Sequence, residues 1–140
     1  MEPKLTERIF KHLAISDINQ VVIAIRSNPL PVSIFQHIVS RIRFSTVVTA
    51  QILGMPEDAY RSLKPSDVLS IHNSEMTYRL AVLYDTGLMV FDNDRTKLLW
   101  WMHKPTPALS GLAPVTLVNS IMGIELVREE LLRIEYSMFS

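Results

Sequence analysis

The chain has 140 residues, 48% of them apolar, with 14 Lys and Arg balanced by 14 Asp and Glu and no cysteine. That composition supplies ample material for a buried core, and it excludes a disordered tail, a disulfide framework and thiolate metal ligation. Zero net charge is far from the basic balance of a typical nucleic-acid-binding domain, although residues 1–43 hold six basic against three acidic groups. The opening Met1-Glu2-Pro3-Lys4 has no basic-then-apolar leader pattern, and no apolar run reaches the length of a membrane span, so a cytoplasmic, membrane-free protein is expected.

The first predicted element is a short helix over residues 4–13, where Leu5, Ile9 and Leu13 recur every fourth residue. Ser16 is placed to cap a second helix carrying Ile18, Val21, Val22 and Ile25, and Asn28-Pro29-Leu30-Pro31 ends it. A third helix over residues 32–43 carries Phe35, Ile38, Val39 and Ile42. These helices are too short to stand alone and must be held by packing. Their apolar excess fits either a core or the interface of a homodimer.

Residues 46–63 then read as helix, glycine turn, helix: Ser45 or Thr46 caps a helix to Leu53, Gly54 breaks it, and Pro56 opens another through Leu63. As a helix-turn-helix this hairpin would contact operator DNA through Thr46, Arg61 and Lys64. Glu57 and Asp58 at the start of the second helix would face phosphates unfavourably, so a purely structural hairpin is the alternative. A long helix over residues 74–91 places Met76, Leu80, Leu83 and Tyr84 on one side. The Asp92-Asn93-Asp94 turn then leads into a short helix, 95–102, with Trp100, Trp101 and Met102.

Pro105, Pro107, Gly111 and Pro114 make an ordered non-helical crossing, because each proline fixes φ and removes a donor. Pro114 opens a short helix over residues 115–119. After Gly123 an amphipathic helix runs onward, with Ile124, Val127, Leu131, Ile134 and Met138 as a narrow apolar seam and Glu129 and Arg133 paired on the outer face.

Pro105-x-Pro107-Ala108-Leu109-x-Gly111-x-x-Pro114-x-x-Leu117, followed by Gly123, Val127, Leu131 and Ile134-x-Tyr136-x-x-Phe139-Ser140, resembles the toxin-binding domain of the Xre/MbcA/ParS antitoxins. The segment Asn73-Ser74-Glu75-Met76-Thr77-Tyr78-Arg79-Leu80-Ala81 is similar to the Glu-Ser-Asp-Arg-x-x-Arg-Leu-Ala run that follows the helix-turn-helix in the same family, with Met76 in place of the first arginine. A further departure is Ser110-Gly111-Leu112-Ala113-Pro114, where the family usually carries Gly-Gly-Arg-Thr-Pro. The resemblance implies neutralisation of a RES-type toxin, an enzyme that consumes NAD or uses it to modify a target. The toxin-contacting residues it points to are Arg79, Trp101, Pro107, Leu109, Gly111, Arg133, Tyr136, Met138, Phe139 and Ser140. Tyr136, Met138 and Phe139 would be apolar anchors, and either the Ser140 carboxylate or the Arg79 or Arg133 guanidinium would enter the toxin's active site.

No catalytic chemistry is legible. His12, His37, His72 and His103 stand singly, and there is no phosphate loop, nucleophile elbow or cysteine nucleophile, so no enzyme activity, cofactor or metal is expected. The fold expected is an all-α helical bundle, with residues 1–91 as an N-terminal region containing the hairpin and residues 92–140 as the toxin-binding domain. Two other functions fit the same residues: a helix-turn-helix repressor with a dimerising C-terminal region, and an immunity protein without DNA binding.

Overall fold

A computed structural model describes the backbone of residues 2–139 and the side chains of residues 2–137. Among the described residues there are eight α-helices and no strand: α1 (Leu5–Leu13), α2 (Val21–Ser27), α3 (Val32–Ile42), α4 (Thr46–Leu53), α5 (Glu57–Arg61), α6 (Ile71–Val90), α7 (Arg95–His103) and α8 (Ile121–Phe139). Short 3-10 turns lie at Ile18–Gln20, Pro107–Leu109 and Pro114–Thr116. The all-α class expected from the helical spacings is what the chain adopts.

The ends of these helices follow from local chemistry. The Ser45, Ser70 and Asp94 side chains accept the backbone N–H groups of Val48, Asn73 and Lys97, capping α4, α6 and α7. Gly54 at φ +68° closes α4 in the left-handed region, as the glycine break predicts. The second helix differs from expectation. Asp17, not Ser16, supplies the cap, and it starts the 3-10 turn, so α2 begins only at Val21. The second helix of the hairpin is also shorter than expected, because α5 ends at Arg61 and buries none of its own residues. Pro114 opens a 3-10 turn rather than an α-helix.

The bundle is built around α6, which packs against α1, α2, α3, α4, α7 and α8. Its predicted face (Met76, Leu80, Leu83 and Tyr84) is buried, together with Ala81, Leu88 and Val90. Ser74 and Thr77 are buried on it as well. Ser74 accepts the Leu30 N–H at 2.9 Å and Thr77 donates to the Asn73 carbonyl at 2.7 Å, so neither hydroxyl is left unpaired. One continuous apolar cluster runs from Leu5 on α1 to Leu131 on α8. Val21, Ile25, Phe35 and Ile38, offered above as dimer-interface residues, are inside that cluster, because α2 and α3 close over α6. Only Ile18 and Val22 of that group remain exposed, now joined by Ile23.

Candidate functional site

The start of α8 is set by two local features. The Ser120 hydroxyl accepts the Gly123 N–H at 3.0 Å, which caps the helix. Gly123 itself sits against the preceding turn so closely that a Cβ there would lie 1.6 Å from the Leu117 carbonyl oxygen. From that point α8 presents two faces. Ile124, Val127 and Leu131 are buried, and Ile134 packs on the same core, as the seam predicts. The opposite face carries Met122, Leu126, Glu129, Arg133 and Tyr136 at alternating steps of four and three residues, a second stripe along the helix. Met122 is 85% exposed, Tyr136 78% and Leu126 46%. Met122 and Leu126 lie one turn apart, Glu129 and Arg133 separate them from Tyr136, and the stripe is a candidate surface for association.

The crossing before α8 is rigid. Thr106 and Leu112 bridge antiparallel, and the Gly111 N–H reaches the Thr106 carbonyl at 2.9 Å. Gly111 adopts φ +79°, a conformation that side chains other than glycine rarely take. Leu109 is buried and anchors the turn, whereas Pro107 and Gly111 are exposed. Trp101 is half-buried against Phe91, with ring centroids 6.2 Å apart at 47°. The outward tryptophan is Trp100, with the Lys104 ammonium 4.2 Å above its ring.

Both candidate guanidiniums are engaged by carboxylates. Arg79 lies 3.5 Å from Glu125, which also holds Arg128 at 4.0 Å, and these groups rim a groove of about 270 Å³ between α2, α6 and α8. Val22, Tyr78 and Ile124 line its floor. The buried Tyr78 hydroxyl has no hydrogen-bond partner among the described residues, and burial, aided by the Asp85 charge, raises its pKa. Arg133 pairs with Glu130 at 3.0 Å, one residue beyond the Glu129 partner expected from spacing. Met138 and Phe139 fall beyond the described side chains, and Ser140 lies outside the described residues altogether.

The hairpin candidates stand apart from this face. Arg61 is held by Glu57 at 3.2 Å and Asp58 at 4.0 Å. Lys64 is exposed, and Thr46 is exposed at the start of α4. Among the described residues no group of His, Asp and Glu side chains is arranged to hold a metal ion, and no helix is long and apolar enough to cross a membrane.

The structure therefore brings Pro107, Leu109 and Gly111 into one turn and Arg133 and Tyr136 onto one helix, with Arg79 set across the groove. Met122 and Leu126 were missed. Their signal was present in the sequence as a second, offset period on α8, overlooked because the buried seam accounts for the helix on its own.

Residues 86–136 match the family model described as the antitoxin Xre/MbcA/ParS C-terminal toxin-binding domain. The match begins inside α6, takes in α7 and the proline crossing, and ends at Tyr136 on the exposed stripe of α8. No curated protein matches the chain.

Proposed function

We propose that this chain is the antitoxin of a type II toxin–antitoxin pair and that it neutralises a RES-type, NAD-consuming toxin in the cytoplasm by covering the toxin's active site. The observation that carries the reading is the coincidence of the toxin-binding match with the uncovered Met122–Leu126–Tyr136 face. Apolar and aromatic side chains that become fully desolvated at the centre of an interface supply most of its binding energy. The RES identity of the toxin rests on the resemblance carried by Pro105 through Ser140. In this reading residues 92–140 make the contact and residues 1–91 support it.

The group that enters the toxin's active site is the Arg79 or the Arg133 guanidinium. The Arg79 and Arg133 guanidiniums are half-exposed to exposed, so their carboxylate partners cost little to exchange for a toxin carboxylate. Co-purification from the native operon, followed by an NAD-consumption assay on the captured partner, tests the proposal. An NAD-consuming protein silenced by stoichiometric antitoxin is the expected result, and a partner without NAD chemistry overturns the RES assignment. A variant lacking Tyr136–Ser140 that folds but fails to rescue cells supports active-site covering; full rescue removes it.

Exposed Ile18 and Val22 at the groove, with Ile23 exposed on the same helix as Val22, favour a homodimer, which would also present two copies to a symmetric operator for autorepression. Light scattering on the intact chain and on Val22→Glu is the check. A dimer converted to a monomer supports the pairing, and a monomeric parent chain excludes it.

A further inference from the structure

The charge on this neutral chain is not evenly spread. On α1 and the residue before it, Lys4, Arg8 and Lys11 follow one another at steps of four and three, so they share a face. That face looks across a groove of about 610 Å³ to His37 and Arg41 on α3. At the C-terminal end of α3 the chain continues into Arg43, exposed at φ 63°. There α7 brings in two more groups. The Arg95 guanidinium donates to the Arg41 carbonyl at 2.9 Å, and His103 Nε2 meets the Ile42 carbonyl at 2.9 Å. These contacts engage the last carbonyls of α3 and fix Arg95 and His103 in place. Arg43, Arg95, Trp100 and His103 line a second cavity, of about 490 Å³, with no carboxylate in its lining. Lys104 lies over the Trp100 ring beside it. Arg41 links the two, since its side chain lines the first cavity and its carbonyl accepts Arg95, which lines the second.

Half of the 14 Lys and Arg of the chain lie on this belt. Among the described residues, Arg41 is its one cation in an ion pair, with Glu2, and Glu7 is the other carboxylate lining the first groove. Elsewhere Arg61, Arg79, Arg128 and Arg133 are each neutralised by a neighbouring carboxylate. The Arg95 Nε–H is buried with no acceptor among the described residues, although that interior position calls for one. Local positive charge also registers on His37, whose pKa is lowered by burial and then by Arg8 and Arg41.

We propose that the belt formed by α1, the C-terminal end of α3 and α7 binds the phosphate backbone of double-stranded DNA. Unpaired cations spread over three helices suit a ligand of repeating negative charge, and such interfaces are more polar and more positive than protein–protein ones. An acidic protein would need apolar anchors at the centre of the contact, and the cations here surround Trp100 alone. The inference rests on the autorepression part of the proposed function for its biological setting. It differs on where the DNA lies, since the hairpin at 46–63 has its Arg61 already neutralised.

The test is fluorescence anisotropy with a duplex from the native promoter, a scrambled duplex of the same length and the corresponding single strand, each over a range of salt. The proteins are the intact chain, Arg8→Gln/Lys11→Gln/Lys104→Gln, and Arg61→Gln/Lys64→Gln. All five positions are exposed, and circular dichroism checks that each variant is folded. The belt variant is expected to bind duplex at least tenfold more weakly, with the slope of log affinity against log salt shallower by roughly one for each cation removed. The hairpin variant is expected to bind like the intact chain. Equal binding to promoter and scrambled duplex supports the belt while ending sequence-specific autorepression. Promoter binding unchanged in the belt variant overturns the belt and leaves autorepression standing. Absence of duplex binding overturns both, preference for the single strand overturns the duplex assignment, and loss of toxin rescue without loss of DNA binding in the belt variant reassigns the surface to a protein.

Discussion

Asp85, in the middle of α6, holds Thr6 at the start of α1 by two hydrogen bonds, its Oδ2 accepting the backbone N–H at 3.1 Å and the hydroxyl at 2.8 Å. Its Oδ1 accepts the Leu5 N–H at 2.8 Å. The first helix has no cap of its own, because Lys4 precedes it, so a residue from the central helix satisfies its free donors instead. Asp85→Ala is expected to lower stability by about 1–3 kcal/mol in urea unfolding, the range for a lost charge-assisted cap. Asp85→Asn, which keeps an acceptor oxygen, should recover part of that loss.

Gly123→Ala should be the more damaging change near α8. The added methyl meets backbone, the Leu117 carbonyl, which cannot rotate away. A loss of about 1–3 kcal/mol or more is expected from overpacking, with weakened toxin binding. At Gly87 the nearest atoms to the same methyl belong to the Leu98 side chain, with Cδ1 at 2.5 Å, and a side chain can give where backbone cannot, so Gly87→Ala should cost less. Thermal melts of the two variants give the comparison.

Met122→Lys and Leu126→Lys test the outer stripe. Both side chains are exposed in the free chain, so stability should stay within about 0.5 kcal/mol of the parent. Affinity for the toxin should fall by more than about 1 kcal/mol for at least one of them. Calorimetric titration against the co-purified toxin measures it.

His37 gives a pH signature. Burial, then Arg8 and Arg41, lower its pKa below the usual 6.5, with Glu2 opposing. The unfolded chain therefore takes up the proton first as pH falls. The stability this contributes is present above about pH 6.5 and is lost as pH drops through the lowered folded value. His37→Gln should flatten that part of the stability profile, and an NMR titration should show the imidazole pKa rising when DNA phosphate covers the belt.

Much of the fold was legible because its signals are periodic and local. The Leu5–Ile9–Leu13 spacing, the Ser45 and Asp94 caps and the Gly54 break each describe one helix by its own residues. What escaped was set by contacts distant in the chain. Nothing near α1 announces that its cap lies at Asp85, and the apolar excess of α2 and α3 does not reveal that α6 absorbs most of it. The site shows the same division. Pro107, Gly111 and the buried seam of α8 were readable as a pattern, whereas the choice of Trp100 over Trp101 as the outward ring depends on where Phe91 packs. The pairing of Arg79 with Glu125 likewise needs α6 and α8 to lie side by side. The basic belt was visible only as a surplus over residues 1–43, since Arg95 and Lys104, at the two ends of α7, join it only through the fold.

α6 carries both the stretch where the toxin-binding match begins and the wall against which α1, α2 and α3 pack, so a ligand held on α8 also favours the packing of α1. In the proposed complex, toxin held on α8 slows exchange of those α1 amides that open only with the whole bundle. The reverse also holds. A protease that nicks α1 while it is transiently detached from Asp85 would then loosen the support behind the proposed toxin-binding face without touching it.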